Sequence, residues 1–433
     1  MAKVLVVGSG GREHALAWKI LQSTKVDQIF VAPGNGGTEL EDGITNINIA
    51  VTEKEKLVDF ATQNDIDLCV IGPDDVLANG LADDMYKASI TTFGPIQAAA
   101  RIESSKAFSK NLMQNAKIPT AKFETFKDSE SAITYVKQNK LPIVIKASGL
   151  ALGKGVYICD TLDEAIKAVN EIMEEKIFGN SGNEVVIEEF ITGSEISTHA
   201  LCDKTTSLLF PPSQDHKQIF DGDKGPNTGG MGVIASKELL PDSEMKQIQK
   251  IVIDPALDGL DKVDTPFSGV LYPGLMFKDS IFEAQNAYVI EFNARFGDPE
   301  IQTYVTLLES DLYDLLSACA TNNLDSQSLN FSEKASVCVV LASGGYPSAY
   351  EKGKLITGIE DANQLDGVKV FHAGTKIKPD SDNEVLTNGG RVLNVVATGD
   401  TIKNAIDKAY EAVKLIDFEG KTHRTDIGKK WLK

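Results

Sequence analysis

The apolar run Val4–Val7, closed by Gly8, reads as a buried strand, and the helical spacing of apolar positions over Glu13–Gln22 reads as a helix. Ile29–Ala32 repeats the strand pattern and Glu53–Asn64 the helical one. Ile66–Ile71 is a further strand, stopped at Gly72-Pro73, and Thr91–Pro95 is a short strand with a turn. This alternation predicts a doubly wound parallel sheet with helices on both faces. Ligands of such sheets lie beyond the carboxyl ends of the strands, where Gly8–Gly11, Pro33–Gly37 and Gly72–Asp75 fall.

From Ser104 the texture changes. A helix is predicted from Ser104 to Asn115, ended by Ile118-Pro119. Pro142–Lys146 and Gly155–Cys159 read as strands joined by a glycine-rich loop, followed by a helix over Leu162–Glu175 and a strand over Glu184–Glu189. Tyr288–Asn293 is another strand, with an antiparallel partner expected around Leu271–Phe277. This central section is α+β in character. The polar stretch Thr321–Lys334 reads as a linker or surface loop before the strand Val337–Leu341. The remainder looks like a small β-rich unit with one clear helix, Ile402–Leu415.

Length adds a domain count: 433 residues correspond to about three domains. Hydrophobic residues make up 42%, enough for several cores. Lys and Arg total 43 against 62 Asp and Glu, a net charge of −19 that argues against a nucleic-acid partner, which needs a basic stripe. The five cysteines, Cys69, Cys159, Cys202, Cys319 and Cys338, contain no C-x-x-C pair, so buried reduced thiols are expected. The opening residues lead straight into a strand and no run reaches membrane-spanning length, so a cytoplasmic protein without a membrane partner is expected. Anionic ligands must then be held by local charges against the overall field.

Several segments carry candidate chemistry. Gly8-Ser9-Gly10-Gly11 follows a strand and opens a helix, as a phosphate-cradling turn does, but the third glycine of a dinucleotide fingerprint is replaced by Glu13. The turn could still hold a sugar phosphate through its amides. Gly149–Gly155, with Lys154, is one residue short of a Walker loop, lacks the following Ser or Thr, and joins strand to strand. Lys146 ends an apolar strand, where a charge is costly unless it meets an anion. Val185–Ile191 is a second such strand, running into Glu188 and Glu189. The period of two puts Glu291 and Asn293 on one strand face, an oxygen pair suited to Mg²⁺. Arg295, Asp298 and Glu300 crowd the same end. His14, His199, His216, His372 and His423 show no metal-ligand spacing; each reads as structural, with His216 set apart by its motif.

Together these residues resemble the ATP-grasp enzymes, and within them the glycinamide ribonucleotide synthetase family. The likeness is carried in order by Gly8–His14, Ala32–Gly36, Gly149–Gly155, Ser213–Lys217, Gly225–Gly232, Glu291–Glu300, and Ala373–Thr375 with Thr387–Arg391. The resemblance implies an N-terminal α/β domain over 1–103, a central ATP-grasp domain over 104–328 with a mobile lid at about 120–190, and a C-terminal β-rich domain over 329–433. It implies ligation of glycine to 5-phosphoribosylamine with ATP, through glycyl phosphate, in purine biosynthesis. Lys106 and Lys146 would hold ATP phosphate oxygens, and the loop with Gly153, Lys154 and Gly155 would close over the triphosphate. Glu188 would meet the adenine edge with Glu189, Phe190 and Ile191 beside it, and Glu195 the ribose hydroxyls. Glu291 and Asn293 would bind Mg²⁺ or Mn²⁺. Arg295 would stabilise the transferred phosphoryl, with Lys217 reaching the triphosphate from the other side, and Asp215 or Asp298 would hold the glycine ammonium or accept a proton. The sugar phosphate would lie between Gly10 and Gly11, Asn35 and Gly36, and the turn Asn227, Thr228, Gly229, Gly230, Met231 and Gly232, near Gly297 and Pro299. A monomer or weak homodimer is expected.

Two places depart from the family pattern. Ser148 stands where the lid usually carries Asp, which should alter lid closure or metal occupancy without abolishing binding. Gly72–Leu77 replaces a usual Gly-Pro-Glu-x-Pro-Leu. Three rivals remain at this level. A carboxylase-type ATP-grasp enzyme would not account for Asn227–Gly232 and Arg295–Glu300 together. A non-catalytic nucleotide-binding module should have lost a metal ligand or the lid lysine, and a nicotinamide dehydrogenase wants the missing glycine.

Overall fold

The computed structural model describes residues 1–151 and 154–432. The first sheet is parallel throughout, in the order Ile44–Asn46, Val26–Pro33, Ala2–Gly8, Leu68–Ile71, Thr92–Phe93. Val4 and Val6 pack into a cluster with Leu16 and Ile20, while Leu5 and Val7 enter another with Leu57 and Leu81. Burial on both faces is why this strand is an unbroken apolar run. The strand order reverses between Ala2–Gly8 and Leu68–Ile71, which places a crevice beyond their carboxyl ends.

The helix expected from Ser104 begins instead at Lys106. Gln97–Ser104 and Lys106–Asn115 are separate helices, because Ser105 is extended between them and its hydroxyl accepts the Phe108 N–H at 3.3 Å as an N-cap.

A second, antiparallel sheet runs Phe123–Phe126, Val185–Glu189, Ile143–Ala147, Val156–Cys159. Helices Ser129–Gln138 and Leu162–Met173 cover one face, where Ile143, Ile145, Val185 and Ile187 meet Ala132, Val136, Val169 and Ile172. Each large aliphatic side chain buried there contributes roughly 2 kcal/mol. The alternation leaves Lys146 and Glu188 on the opposite face.

Among the described residues the largest sheet has ten strands. It runs Ser207–Leu209, Ala200–Cys202, Gly269–Lys278, Gly193–Ser197, Ser213–Asp215, Gly232–Ala235, Ala335–Ala342, Arg391–Gly399, Val368–His372, with Ala287–Asn293 also paired to Gly269–Lys278. The expected antiparallel partner of Tyr288–Asn293 is therefore present. The C-terminal strands join this sheet edge to edge, since Ala335–Ala342 pairs with both Gly232–Ala235 and Arg391–Gly399. Helix Ile402–Leu415 seals that end with Ile402, Ile406, Ala409 and Val413 in one cluster with Val337, Val339 and Val395. All five cysteines are buried free thiols, and no described helix is long and apolar enough to cross a membrane.

Candidate active site

The bare face of the four-stranded sheet looks onto the strand Ala287–Asn293. Val144 pairs with Glu188 and Lys146 with Val186, which makes Lys146 and Glu188 diagonal neighbours on that face. Lys146 Nζ lies 3.0 Å from Glu188 Oε1, and Lys110 Nζ lies 3.0 Å from Oε2; all three side chains are buried. Lys146 also donates to Ile290 O at 3.2 Å. That carbonyl is within reach because the pairing jumps from Gly274↔Glu291 to Leu275↔Val289, leaving Ile290 as a bulge that re-aims the strand. Lys106, at the start of its helix, donates through Nζ to Gly149 O at 3.2 Å, and its N–H donates to Ser148 O at 2.7 Å. The Ser148 hydroxyl accepts from Ala107 N at 3.1 Å and lies 3.3 Å from Glu184 Oε2. The residue that departs from the family pattern thus fastens the glycine-rich loop to the Lys106 helix.

Glu291 and Asn293 share the facing wall. Burial disfavours the Glu291 charge, but Lys217, Lys146, Lys106 and Arg295 together hold its pKa below the ordinary range. Its carboxylate makes no side-chain hydrogen bond among the described residues and stands 4.0 Å from Lys217 Nζ. Lys217 is closely paired with Glu195, and the two carboxylates outweigh burial to keep its ammonium charged. Asn293 Oδ1 accepts from Arg295 Nη2 at 3.1 Å. The guanidinium is braced by Glu103 at 2.9 Å and by Phe296 O at 3.3 Å, while its buried Nε has no partner among the described residues. Among those residues no group of three or more His, Cys, Asp and Glu side chains stands ready for a metal; Glu291 and Asn293 present one carboxylate and one amide oxygen. Hard oxygen donors of that number suit Mg²⁺ or Mn²⁺ that keeps waters and phosphate oxygens in its shell.

The two candidate aspartates differ. Burial opposes the Asp298 charge, but Arg391, Arg12 and a hydrogen bond from Gln302 hold its pKa down. Arg391 Nη2 lies 2.8 Å from Asp298 Oδ2, and Nη1 donates to Asp298 O at 2.6 Å and to Gly229 O at 2.7 Å. Asp215 has its pKa raised, by burial first and then by Glu300. Glu300 is buried too, raised by burial, and accepts from Tyr272 OH at 2.7 Å. Gly230 must be glycine: its φ is +111°, and a Cβ there would sit 2.7 Å from Pro299 Cδ and 2.8 Å from Asp215 Oδ1.

The sugar-phosphate candidates are only partly brought together. The Gly10 N–H already donates to Glu13 Oε2 at 2.7 Å, and Gly11 is buried, with Asn394 Nδ2 only 2.1 Å from where its Cβ would be. The turn therefore does not offer the Gly10 amide, and the missing third glycine is a carboxylate that fills the crevice against Gly72. Asn35 is committed as well: Oδ1 accepts from Gly37 and Thr38, and Nδ2 donates to Ser9 O and His372 O. Met231 is fully buried in a small core with Ile219, and Gly232 lies inside a strand. Glu189 turns away from Glu188 and accepts the Lys122 N–H at 3.0 Å, while Phe190 is exposed beside it. Gly153 lies outside the described residues; Lys154 is exposed and Gly155 buried. A cavity of about 520 Å³ does open beside Asn35 and Gly36, with Thr375, Lys376 and Asn388 from the C-terminal segment on its far wall.

Behind Asp215 and Lys217 lies the C-terminal tail. Trp431 Nε1 donates to Gln214 Oε1 at 2.8 Å, Gly428 N to His216 Nε2 at 3.2 Å, and Arg424 Nη1 to Gln218 O at 3.2 Å. Period-two alternation thus gives Asp215 and Lys217 to the cleft, and Gln214 and His216 to the tail. Burial and then Arg424 lower His216 to about 4, which suits a neutral ring that accepts from Gly428 and meets Gly232 O at 3.1 Å. His199 is likewise neutral through burial, accepting the Gly297 N–H at 3.3 Å.

Lys110, Glu103, Arg391 and Glu300 were given no role from the sequence. Lys110 sits four residues after Lys106 on one helix face, a spacing that could have found it. Glu103 carries no local signal, because its partner is 192 positions away in the chain.

Comparison with known proteins follows this geometry. Residues 2–103, 104–301 and 336–430 match, in tandem, the families described as Phosphoribosylglycinamide synthetase N domain, ATP-grasp (A) domain and C domain. The chain is 44% identical to a phosphoribosylamine–glycine ligase of Rhodopirellula baltica, covering 99% of this chain and 98% of that one. It is 45% identical to the ligase of the same name from Vibrio vulnificus, over 98% and 97%. The crystal structure of phosphoribosylamine–glycine ligase from Thermotoga maritima superposes with a TM-score of 0.83 at 36% identity, covering 99% of this chain and all of that one (100%). A biotin carboxylase domain from Hydrogenobacter thermophilus, solved with MgADP and bicarbonate, shares the fold at 18% identity and a TM-score of 0.72, over 97% and 91%.

Proposed function

The chain belongs to the phosphoribosylglycinamide synthetase family, and from that membership we propose that it ligates glycine to 5-phosphoribosylamine with ATP, giving glycinamide ribonucleotide, ADP and phosphate in purine biosynthesis. The observation that carries the chemistry is the meeting of Lys106 and Lys146 with Glu291, Asn293 and Arg295 across one cleft.

A carboxylate is a poor electrophile, so glycine is first converted to glycyl phosphate by in-line transfer from ATP. Such transfer depends on positioning and on cations placed where charge develops. Lys106 and Lys146 hold phosphate oxygens and Glu195 the ribose, while the adenine edge falls to the backbone near Phe190 and Ile191, because the two oxygens of Glu188 face Lys110 and Lys146. Arg295, fixed by Glu103 and Asn293, faces the transferred phosphoryl and the later oxyanion. Glu291, with its uncommitted carboxylate, and Asn293, through the amide oxygen that meets Arg295, would hold Mg²⁺ or Mn²⁺. When bound, that cation shields the phosphate charge.

The amine of phosphoribosylamine then attacks the acyl carbon and phosphate leaves. Asp215, whose proton affinity burial and Glu300 raise, accepts the proton released by the amine. Asp298 stays ionised against Arg391 and fixes the loop that carries Arg295. The 5-phosphate fits the cavity beside Asn35 and Gly36, with Lys376 as its cation. The glycine-rich segment with Lys154 closes over the triphosphate and excludes water from the acyl phosphate. The setting is cytoplasmic, with a monomer or weak homodimer acting on small molecules and no nucleic-acid or membrane partner.

The test is phosphate release from ATP with each substrate omitted in turn. Release that requires both glycine and phosphoribosylamine is expected; equal turnover without either overturns the ligase assignment.

A further inference from the structure

Lys110 has no part in the steps above, yet it is only 2% exposed at the edge of the cleft. Its ammonium donates to Thr120 Oγ1 at 2.7 Å and pairs with Glu188 Oε2 at 3.0 Å. Lys146 takes the other oxygen of that carboxylate at 3.0 Å. The second contact lacks hydrogen-bond geometry, so Glu188 Oε1 has no hydrogen-bond donor among the described residues. Two buried ammonium groups thus share one buried carboxylate, and one positive charge is left over.

We propose that Lys110 is a positioning residue whose charge keeps Glu188 from neutralising Lys146, so that Lys146 remains available to the ATP phosphates. This rests on the ATP-binding role of Lys146 proposed above. An ammonium beside a carboxylate in a poorly solvated site is bound strongly unless a second cation divides that charge. Lys110 is placed to divide it and not to follow the nucleotide. Thr120, its anchor, is itself tied to Val289 O at 2.6 Å, and the Phe123 ring lies 5.7 Å from the ammonium. Lys146 instead reaches Ile290 O on the facing wall. The charged groups around Lys110 are Glu188 and Lys146 from the lid strands, Glu291 from the facing strand, and Lys106 on its own helix. Burial, opposed by Glu188, brings its ammonium down to about 8.

The experiment measures the KM for ATP in the wild type, K110M and K110M/E188Q at about pH 7, with the other substrates saturating. K110M is expected to raise it roughly tenfold while the KM for glycine stays within about twofold, and the double variant to recover most of the loss, because Lys146 again has no neutralising neighbour. A double variant as weak as K110M overturns the proposal. K110R keeps its charge, so the wild-type KM for ATP should climb as pH passes about 8 while that of K110R stays level. A parallel climb in both overturns the proposal, and this comparison stands if K110M fails to fold. A wild type without ATP-dependent turnover would instead defeat the ATP assignment itself, and the proposal with it.

Discussion

Glu103 Oε1 stands 2.9 Å from Arg295 Nη2, and burial pushes that carboxyl up to about 7 although the guanidinium is beside it. The brace of the cleft's central arginine therefore titrates near neutrality. Turnover should fall as pH drops through about 7, and E103Q should be slower at pH 8 but lack that acid limb; a pH–rate profile of both proteins checks it. The stability contribution has the opposite sense. A carboxyl raised from its ordinary 4.5 keeps a proton that the unfolded chain has lost, so this term is full below about 4.5 and disappears as pH rises to about 7.

Glu291 makes no side-chain hydrogen bond among the described residues and is the carboxylate proposed to hold the cation. Replacing it with Ala should cut turnover by roughly two orders of magnitude or more and raise the Mg²⁺ concentration needed for half-maximal rate. A metal titration of kcat in both proteins decides; an unchanged rate removes Glu291 from the metal site.

Lys154→Ala should slow turnover more than it weakens nucleotide binding, because a segment proposed to close over the triphosphate acts mainly once the site is covered. Comparing kcat with the ADP dissociation constant separates the two effects. Equal losses would place Lys154 outside the closing loop.

Gly230→Ala forces a Cβ against Pro299 and Asp215 at a φ of +111°. A loss of roughly 1–3 kcal/mol is expected, with activity falling further because Asp215 is displaced. Calorimetry and steady-state rates measure both.

Arg424 is buried, with Asp223 at 3.0 Å and Asp426 at 2.7 Å. Arg424→Met leaves Asp426 without its ion-pair partner, while Asp223 keeps Lys430, and should cost roughly 1–3 kcal/mol. The hairpin 218–227 should then be cut faster by protease, which limited digestion followed by mass analysis reports.

Much of this could be read from local spacing. Lys146, Glu291 and Asn293 follow from strand alternation, and the N-terminal sheet from its apolar runs. What could not be read depends on partners far along the chain. Asn35 looked free because its acceptor, His372 O, lies 337 residues on. Glu13 looked like a defect in a glycine motif because nothing local says that Gly72 closes onto its carboxylate. That the C-terminal strands continue the central sheet could not be read either, because strand pairing across 107 residues, Gly232 with Val339, leaves no trace in either strand's own pattern.

The tail behind Asp215 and Lys217 sets a timetable for synthesis. Gln214 and Trp431 are 217 residues apart, so translation can release every residue of the cleft while the reverse side of that strand is still unmade. The back of that strand is completed only once segment 424–431 has been made and docks. Until then the nascent chain holds Asp215 and Lys217 on a strand with an unfinished back, and contacts of such long range are slow to close.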